Sequence, residues 1–104
     1  MATANLESPH SLPADVAAFC EKTDLGPYLS LSLRLARESF EPVRYLRAEL
    51  EADPDTDEER IIVEVGVEMA VDEVLERTAS YTSQWVARAP LEVRQMIRLL
   101  YNIL

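Results

Sequence analysis

From residue 14 onward the apolar positions follow two rhythms, a helical one over most of the chain and a period of two in two central segments. In residues 14–23, Val16, Ala17, Phe19 and Cys20 have helical spacing, and Asp24-Leu25-Gly26-Pro27 ends the segment as a turn. Residues 28–40 fit both rhythms, because Leu29, Leu31, Leu33 and Leu35 also alternate. A helical wheel decides for helix: Leu29, Leu33, Ala36 and Phe40 form one stripe, Tyr28, Leu31 and Leu35 widen it, and Ser30, Arg34, Arg37 and Glu38 occupy the far arc. Pro27 suits the first turn of this helix and Pro42 ends it.

Two strands are predicted next. Residues 43–50 put Leu46, Ala48 and Leu50 on one side; residues 61–68 put Ile61, Val63, Val65 and Val67 on one side and Glu64, Gly66 and Glu68 on the other. If both apolar faces point the same way, opposed residue numbers sum to an odd value, and a sum of about 111 pairs Leu46 with Val65, Ala48 with Val63 and Leu50 with Ile61. That register sets Arg47 opposite Glu64 and lays Tyr45 over Gly66, two further supports for a hairpin.

A helical stripe follows in Val71, Val74, Leu75, Thr78, Thr82, Trp85, Val86 and Ala89, with Asp72, Glu73, Glu76, Arg77, Ser80, Ser83 and Gln84 facing out. Its acids lie early and Arg88 late, which complements the helix dipole. A last helix is predicted from Pro90 to the end, with Val93, Met96, Ile97, Leu100 and Leu104 inward and Arg94, Gln95 and Arg98 outward. The expected fold class is therefore α+β, an antiparallel β-hairpin covered by helices in the order α-α-β-β-α-α. A two-stranded ribbon is marginal in water, so completion of the sheet by dimerisation is expected as well. Residues 1–13, with Asn5, Ser8, Pro9, His10, Ser11 and Pro13, lack periodicity and read as a mobile tail; residues 14–104 read as a single domain.

The length of 104 residues suits one domain able to bury a core. Ten basic residues against nineteen acidic ones give a formal charge of −9, which repels phosphate backbones and anionic membranes and argues against nucleic-acid or membrane partners. All the cations except Lys22 are arginines, whose planar fork favours ion pairing. A single cysteine, Cys20, and a single histidine, His10, leave no intrachain disulfide and no structural zinc set, which points to a reducing cytoplasm. No secretory signal and no apolar run near the ~18 residues of a bilayer span are present, so a soluble, cytoplasmic protein is expected.

Few constellations carry chemistry. Asp53, Asp55 and Asp57, with Glu64, fall on the first, third, fifth and twelfth positions of an EF-hand frame, but Glu58 stands where that loop needs glycine and Glu64 belongs to a strand. A solvated, strongly acidic turn is the better reading. Glu49, Glu64 and Glu68 share the outer sheet face without a histidine or an apolar setting to raise a pKa. Ser30 and Ser32 lack a nucleophile elbow, and Gly26 and Gly66 make no phosphate loop. No catalytic, cofactor-binding or metal-binding residue is assigned. Trp85 reads as core. Tyr81, beside the stripe, suits the edge of an interface, and Arg94 and Arg98, four apart, suit an anion or a partner's carboxylates. These three are the candidate partner-interaction residues.

The stretch from Trp85 to Leu104, with Asp53-Pro54-Asp55 before the second strand, resembles a group of small uncharacterised bacterial proteins with no assigned activity. The likeness covers roughly residues 25–104 and implies a stand-alone bacterial protein, with no functional residue to carry over. The expectation for function is a non-catalytic interaction protein, a homodimer without cofactors, antitoxin-like or inhibitory toward a basic protein. The rival is a small enzyme or ligand-binding protein with a pocket between helices and hairpin or at the dimer seam.

Overall fold

A single sheet of three strands, β1 (Tyr45–Ala52), β2 (Glu59–Val67) and β3 (Ile97–Ile103), organises the molecule, in the spatial order β1-β2-β3. The structure is a computed structural model and describes residues 12–104, so the expected tail lies almost wholly outside the described residues. Helices α1 (Ala14–Thr23) and α2 (Gly26–Phe40) precede the hairpin; α3 (Val71–Arg88) and the short α4 (Leu91–Met96) connect β2 to β3. The chain is α+β, and the order α-α-β-β-α-α holds as far as α4.

Local chemistry explains the two N-terminal helices. In α1, Val16, Phe19 and Cys20 are the buried residues, at the spacing of one helical face. The helix stops at Asp24, which adopts a left-handed conformation with φ 60°, and the next amide, Leu25 N–H, donates back to Cys20 O at 3.1 Å. The wheel reading of α2 holds: Leu29, Leu33, Leu35, Ala36 and Phe40 are all buried. Phe40 is the last helical residue, two before Pro42.

The hairpin register is the one the apolar faces dictate. Leu46 opposes Val65, Ala48 opposes Val63, Leu50 opposes Ile61, Arg47 opposes Glu64 and Tyr45 lies across from Gly66. Strand limits differ from the expected ones by up to two residues. Leu46, Ala48, Ile61, Val63, Val65 and Val67 are essentially sealed from solvent beneath the helices, while Arg47, Glu49 and Glu51 on the opposite face stay exposed. Asp53 N–H donates to Glu58 O at 2.8 Å and closes the acidic turn.

Beyond Met96 the structure differs from the sequence reading. The expected continuous helix from Pro90 to Leu104 ends there, and Ile97–Ile103 runs as a strand parallel to β2, with Ile61 beside Ile97, Val63 beside Leu99 and Val65 beside Tyr101. The spacing of Val93, Met96, Ile97, Leu100 and Leu104 satisfies a helical period, yet tertiary demand prevails. β2 is buried on its inner face along its length, and a central strand left with one bare backbone edge would strand its amides and carbonyls. Supplying β3 from the same chain satisfies them. The hairpin therefore does not depend on a second copy for its third strand, which corrects the expected completion of a two-stranded ribbon. What remains open is the far edge of β3.

The registration of α3 also differs. Its buried residues are Val74, Tyr81 and Trp85, whereas Val71, Leu75 and Val86, expected inside, are 57%, 53% and 46% exposed. The apolar arc of α3 is wider than the surface it covers. One flank meets α2, where Arg77 donates to the carbonyls of Ser39 (3.2 Å) and Glu41 (2.9 Å) and pairs with Glu73 at 2.8 Å. The other flank, Leu75, Thr78 and Thr82, lies on the β3 side.

Candidate interaction surface

Residues on α3 and β3 build one continuous exposed strip, without a partner among the described residues. Thr78, Tyr81, Thr82 and Trp85 of α3, Arg94 of α4 and Ile97, Arg98, Leu99 and Tyr101 of β3 line a shallow groove of about 240 Å³. Beyond it, Leu100, Ile103 and Leu104 are 52%, 39% and 56% exposed. β3 thus shows apolar side chains on both sheet faces, Leu100 and Leu104 on the open one, Tyr101 and Ile103 on the helix side. Its backbone edge is free too. Leu104 N–H donates to Val67 O at 2.9 Å, so by strand alternation the even-numbered residues turn their peptide groups to β2, and Leu99, Tyr101 and Ile103 turn theirs outward. Among the described residues no strand pairs with that edge.

The two sheet edges contrast. β1 carries Arg47, Glu49 and Glu51 at its exposed positions, charges that discourage pairing with another strand. On β3 the only charge is Arg98.

A polar network on the open face ties β3 to the hairpin. Asn102 Nδ2 donates to Tyr45 Oη at 2.8 Å, Tyr45 Oη donates to Glu64 Oε2 at 2.5 Å, and Arg47 donates to Glu64 Oε1 through Nε at 3.1 Å and Nη2 at 2.9 Å. All three strands are tied by it. The Tyr45 hydroxyl holds the Glu64 carboxyl below its ordinary pKa, with Arg47 acting in the same sense against partial burial. Partial burial and the bond to Glu64 raise the Tyr45 phenol in turn. The ring of Tyr45 occupies the space a side chain at position 66 would need: a Cβ there would collide with three of its ring carbons.

The three candidate partner residues, Tyr81, Arg94 and Arg98, all line this groove, from different elements and at different depths. Tyr81 is 2% exposed; its hydroxyl and Ser32 Oγ are 2.7 Å apart in the core, and its ring stacks on Trp85 at 6.1 Å. It forms the floor of the groove rather than its edge. Arg94 is half-buried on α4, and its Nε donates to Ala89 O at 3.0 Å, which binds the α3–α4 junction together. Arg98 lies on β3, on the open face beside Ile62, so the two arginines do not share a helix face. The sequence reading makes residues 97–103 helical and misses β3; the run Ile97-Arg98-Leu99-Leu100-Tyr101, as apolar and aromatic as a strand, is the local signal for it.

Chemistry elsewhere is already committed. Glu64 binds Tyr45 and Arg47 instead of the acidic loop, and Asp53 accepts the Asp55 amide at 2.8 Å and pairs with Arg60 at 3.2 Å. Glu49 lies 3.6 Å from Arg47, and Glu68 is ion-paired with Arg44. Among the described residues no three His, Cys, Asp or Glu side chains converge as a metal-binding group, and no helix is long and apolar enough to cross a membrane. A larger concavity of about 670 Å³ lies between α1, the acidic turn and α4, lined by side chains of both signs, of which Lys22 and Glu59 approach to 3.8 Å. Comparison with protein-family models, with curated proteins and with solved structures gives no match for this chain.

Proposed function

We propose that this is a non-catalytic interaction protein that acts through a surface, as a homodimer whose acidic exterior engages a basic protein partner in an antitoxin-like or inhibitory manner. The observation that carries the reading is the β3 edge, which combines outward peptide groups with apolar side chains on both faces in a chain whose other sheet edge is charged. The formal charge of −9 supports steering toward a cationic surface. Against the rival, a pocket between helices and hairpin, stands a layer filled by Val16, Leu29, Leu35, Phe40, Leu46 and Val63, each at most 1% exposed, which leaves it only the concavity between α1, the acidic turn and α4.

Gentle co-purification of the untagged protein from its native cell, followed by intact-complex mass measurement, tests the proposal. A stoichiometric basic protein retained by the acidic chain is the expected result. Recovery of this chain with no companion, at native abundance and low salt, would refute the basic-partner reading.

A further inference from the structure

We propose that the open edge of β3 pairs with β3 of a second copy, antiparallel, across a two-fold axis that passes through Leu100 normal to the sheet. The inference rests on the interaction reading above and names the occupant of its unguarded edge.

Three observations select a second copy. First, the backbone pattern is self-complementary. With the axis at Leu100, Leu99 faces Tyr101 and Ile97 faces Ile103 of the partner as hydrogen-bonded pairs, since the odd-numbered residues turn outward. The Ile97 amide is already used, as it donates to Val93 O at the end of α4, so about six bonds close the seam instead of the full ladder. Even-numbered pairs put Leu100 against Leu100 and Arg98 against Asn102 on the open face, with no like charges opposed.

Second, the strip lacks acids in a chain of charge −9 and its charges are Arg94 and Arg98, so a basic partner is repelled there, while antiparallel pairing of a second copy sets Arg98 opposite the neutral Asn102. Antiparallel pairing also sends the acidic turns of residues 53–58 to opposite ends of the joined sheet, where two strongly negative copies repel least.

Third, the area is of the right order. Taking the exposed fractions of Leu75, Leu100, Tyr101, Ile103 and Leu104 with the threonine flank of α3, the strip offers on the order of 500 Å² per copy, roughly 1,000 Å² for the pair, which is the low end for a specific interface. Two three-stranded sheets become one of six strands, and the groove beside Tyr101 is closed by the α3 flank of the partner.

The test combines mass and register. In a Cys20→Ala background, Leu100→Cys sits in a non-hydrogen-bonded pair whose Cα atoms stand about 4.5 Å apart, within disulfide reach, whereas Leu104→Cys lies eight residues of strand away from its own counterpart, about 27 Å. Sedimentation of the full wild-type chain should give a dimer, and mild oxidation should cross-link L100C and leave L104C single. Leu100→Lys, a change at a side chain that is 52% exposed and so compatible with the fold, opposes two cations across the axis and should weaken the dimer at least a hundredfold with an unchanged circular dichroism spectrum. A wild-type monomer at 100 µM, a dimer indifferent to L100K, or equal cross-linking of L104C overturns the inference. A monomer that still retains a stoichiometric basic protein overturns self-pairing alone and leaves the interaction reading standing.

Discussion

Removing the Tyr81 hydroxyl tests whether this side chain belongs to the core or to a partner surface. Its oxygen lies 2.7 Å from Ser32 Oγ; Ser32 is fully buried and Tyr81 is 2% exposed. Tyr81→Phe keeps the ring stacked on Trp85 and withdraws one partner from a buried hydroxyl, which costs about 1–2 kcal/mol. Ser32→Ala should cost a similar amount, and the double variant less than the sum by about 1 kcal/mol, the coupling that a shared bond implies. Burial pushes the Tyr81 phenol up to about 12, against a Ser32 bond that lowers it. The folded state therefore holds this proton more tightly than the unfolded chain, whose tyrosines titrate near 10. The stabilisation is complete below about pH 10 and is lost as pH rises toward about 12, by roughly 2–3 kcal/mol. Urea unfolding followed by circular dichroism, at pH 7 and through the alkaline range, measures both effects, and the Phe variant should show the shallower alkaline decline. Additivity of the two single variants, or equal alkaline slopes, would refute the buried bond. A shift of Tyr81→Phe toward monomer by sedimentation, with stability intact, would return Tyr81 to the interface.

On the open face, Gly66→Ala should displace the Tyr45 ring and with it the bonds to Glu64 and Asn102, lowering stability by about 1–2 kcal/mol despite the better strand propensity of alanine; an unchanged urea midpoint would contradict the packing of Tyr45 on Gly66. Because the Glu64 pKa is depressed in the fold, its contribution is present above the ordinary carboxylate pKa and is lost as pH falls through the lowered value. Glu64→Gln should therefore be less stable than wild type at pH 7, and the gap should close as pH falls below the ordinary carboxylate range and through the depressed Glu64 pKa, as read from urea midpoints; a constant gap would deny the role of the charge.

Most of the fold was legible because adjacent signals agree. The α2 wheel, Pro27 and Pro42 set one helix, and the alternation of Leu46, Ala48 and Leu50 against Ile61, Val63 and Val65 set a register that Arg47–Glu64 and Tyr45–Gly66 independently support. β3 was not legible by period, since Met96, Ile97, Leu100 and Leu104 satisfy a helix while their neighbours suit a strand. The deciding factor is the second backbone edge of β2, a long-range requirement that no local window contains. The same cause hid the exposed apolar strip. Leu75 and Val86 look like core residues on a wheel, and only the position of α3 beside the last strand exposes them. Tyr81 read as lying beside the stripe for the complementary reason: the buried face of α3, where Tyr81 reaches Ser32 of α2, is centred on Val74, Tyr81 and Trp85, one flank away from the centre of the apolar arc.

The central claim is that the outward peptide groups of β3 are a pairing edge, and amide hydrogen exchange read residue by residue against protein concentration tests it most directly. The amides of Leu100, Asn102 and Leu104, turned toward β2, should be protected at every concentration, while those of Leu99, Tyr101 and Ile103 should exchange freely when dilute and gain protection as concentration rises. Fast exchange of these three amides at all concentrations, with their neighbours protected, would show an edge that pairs with nothing.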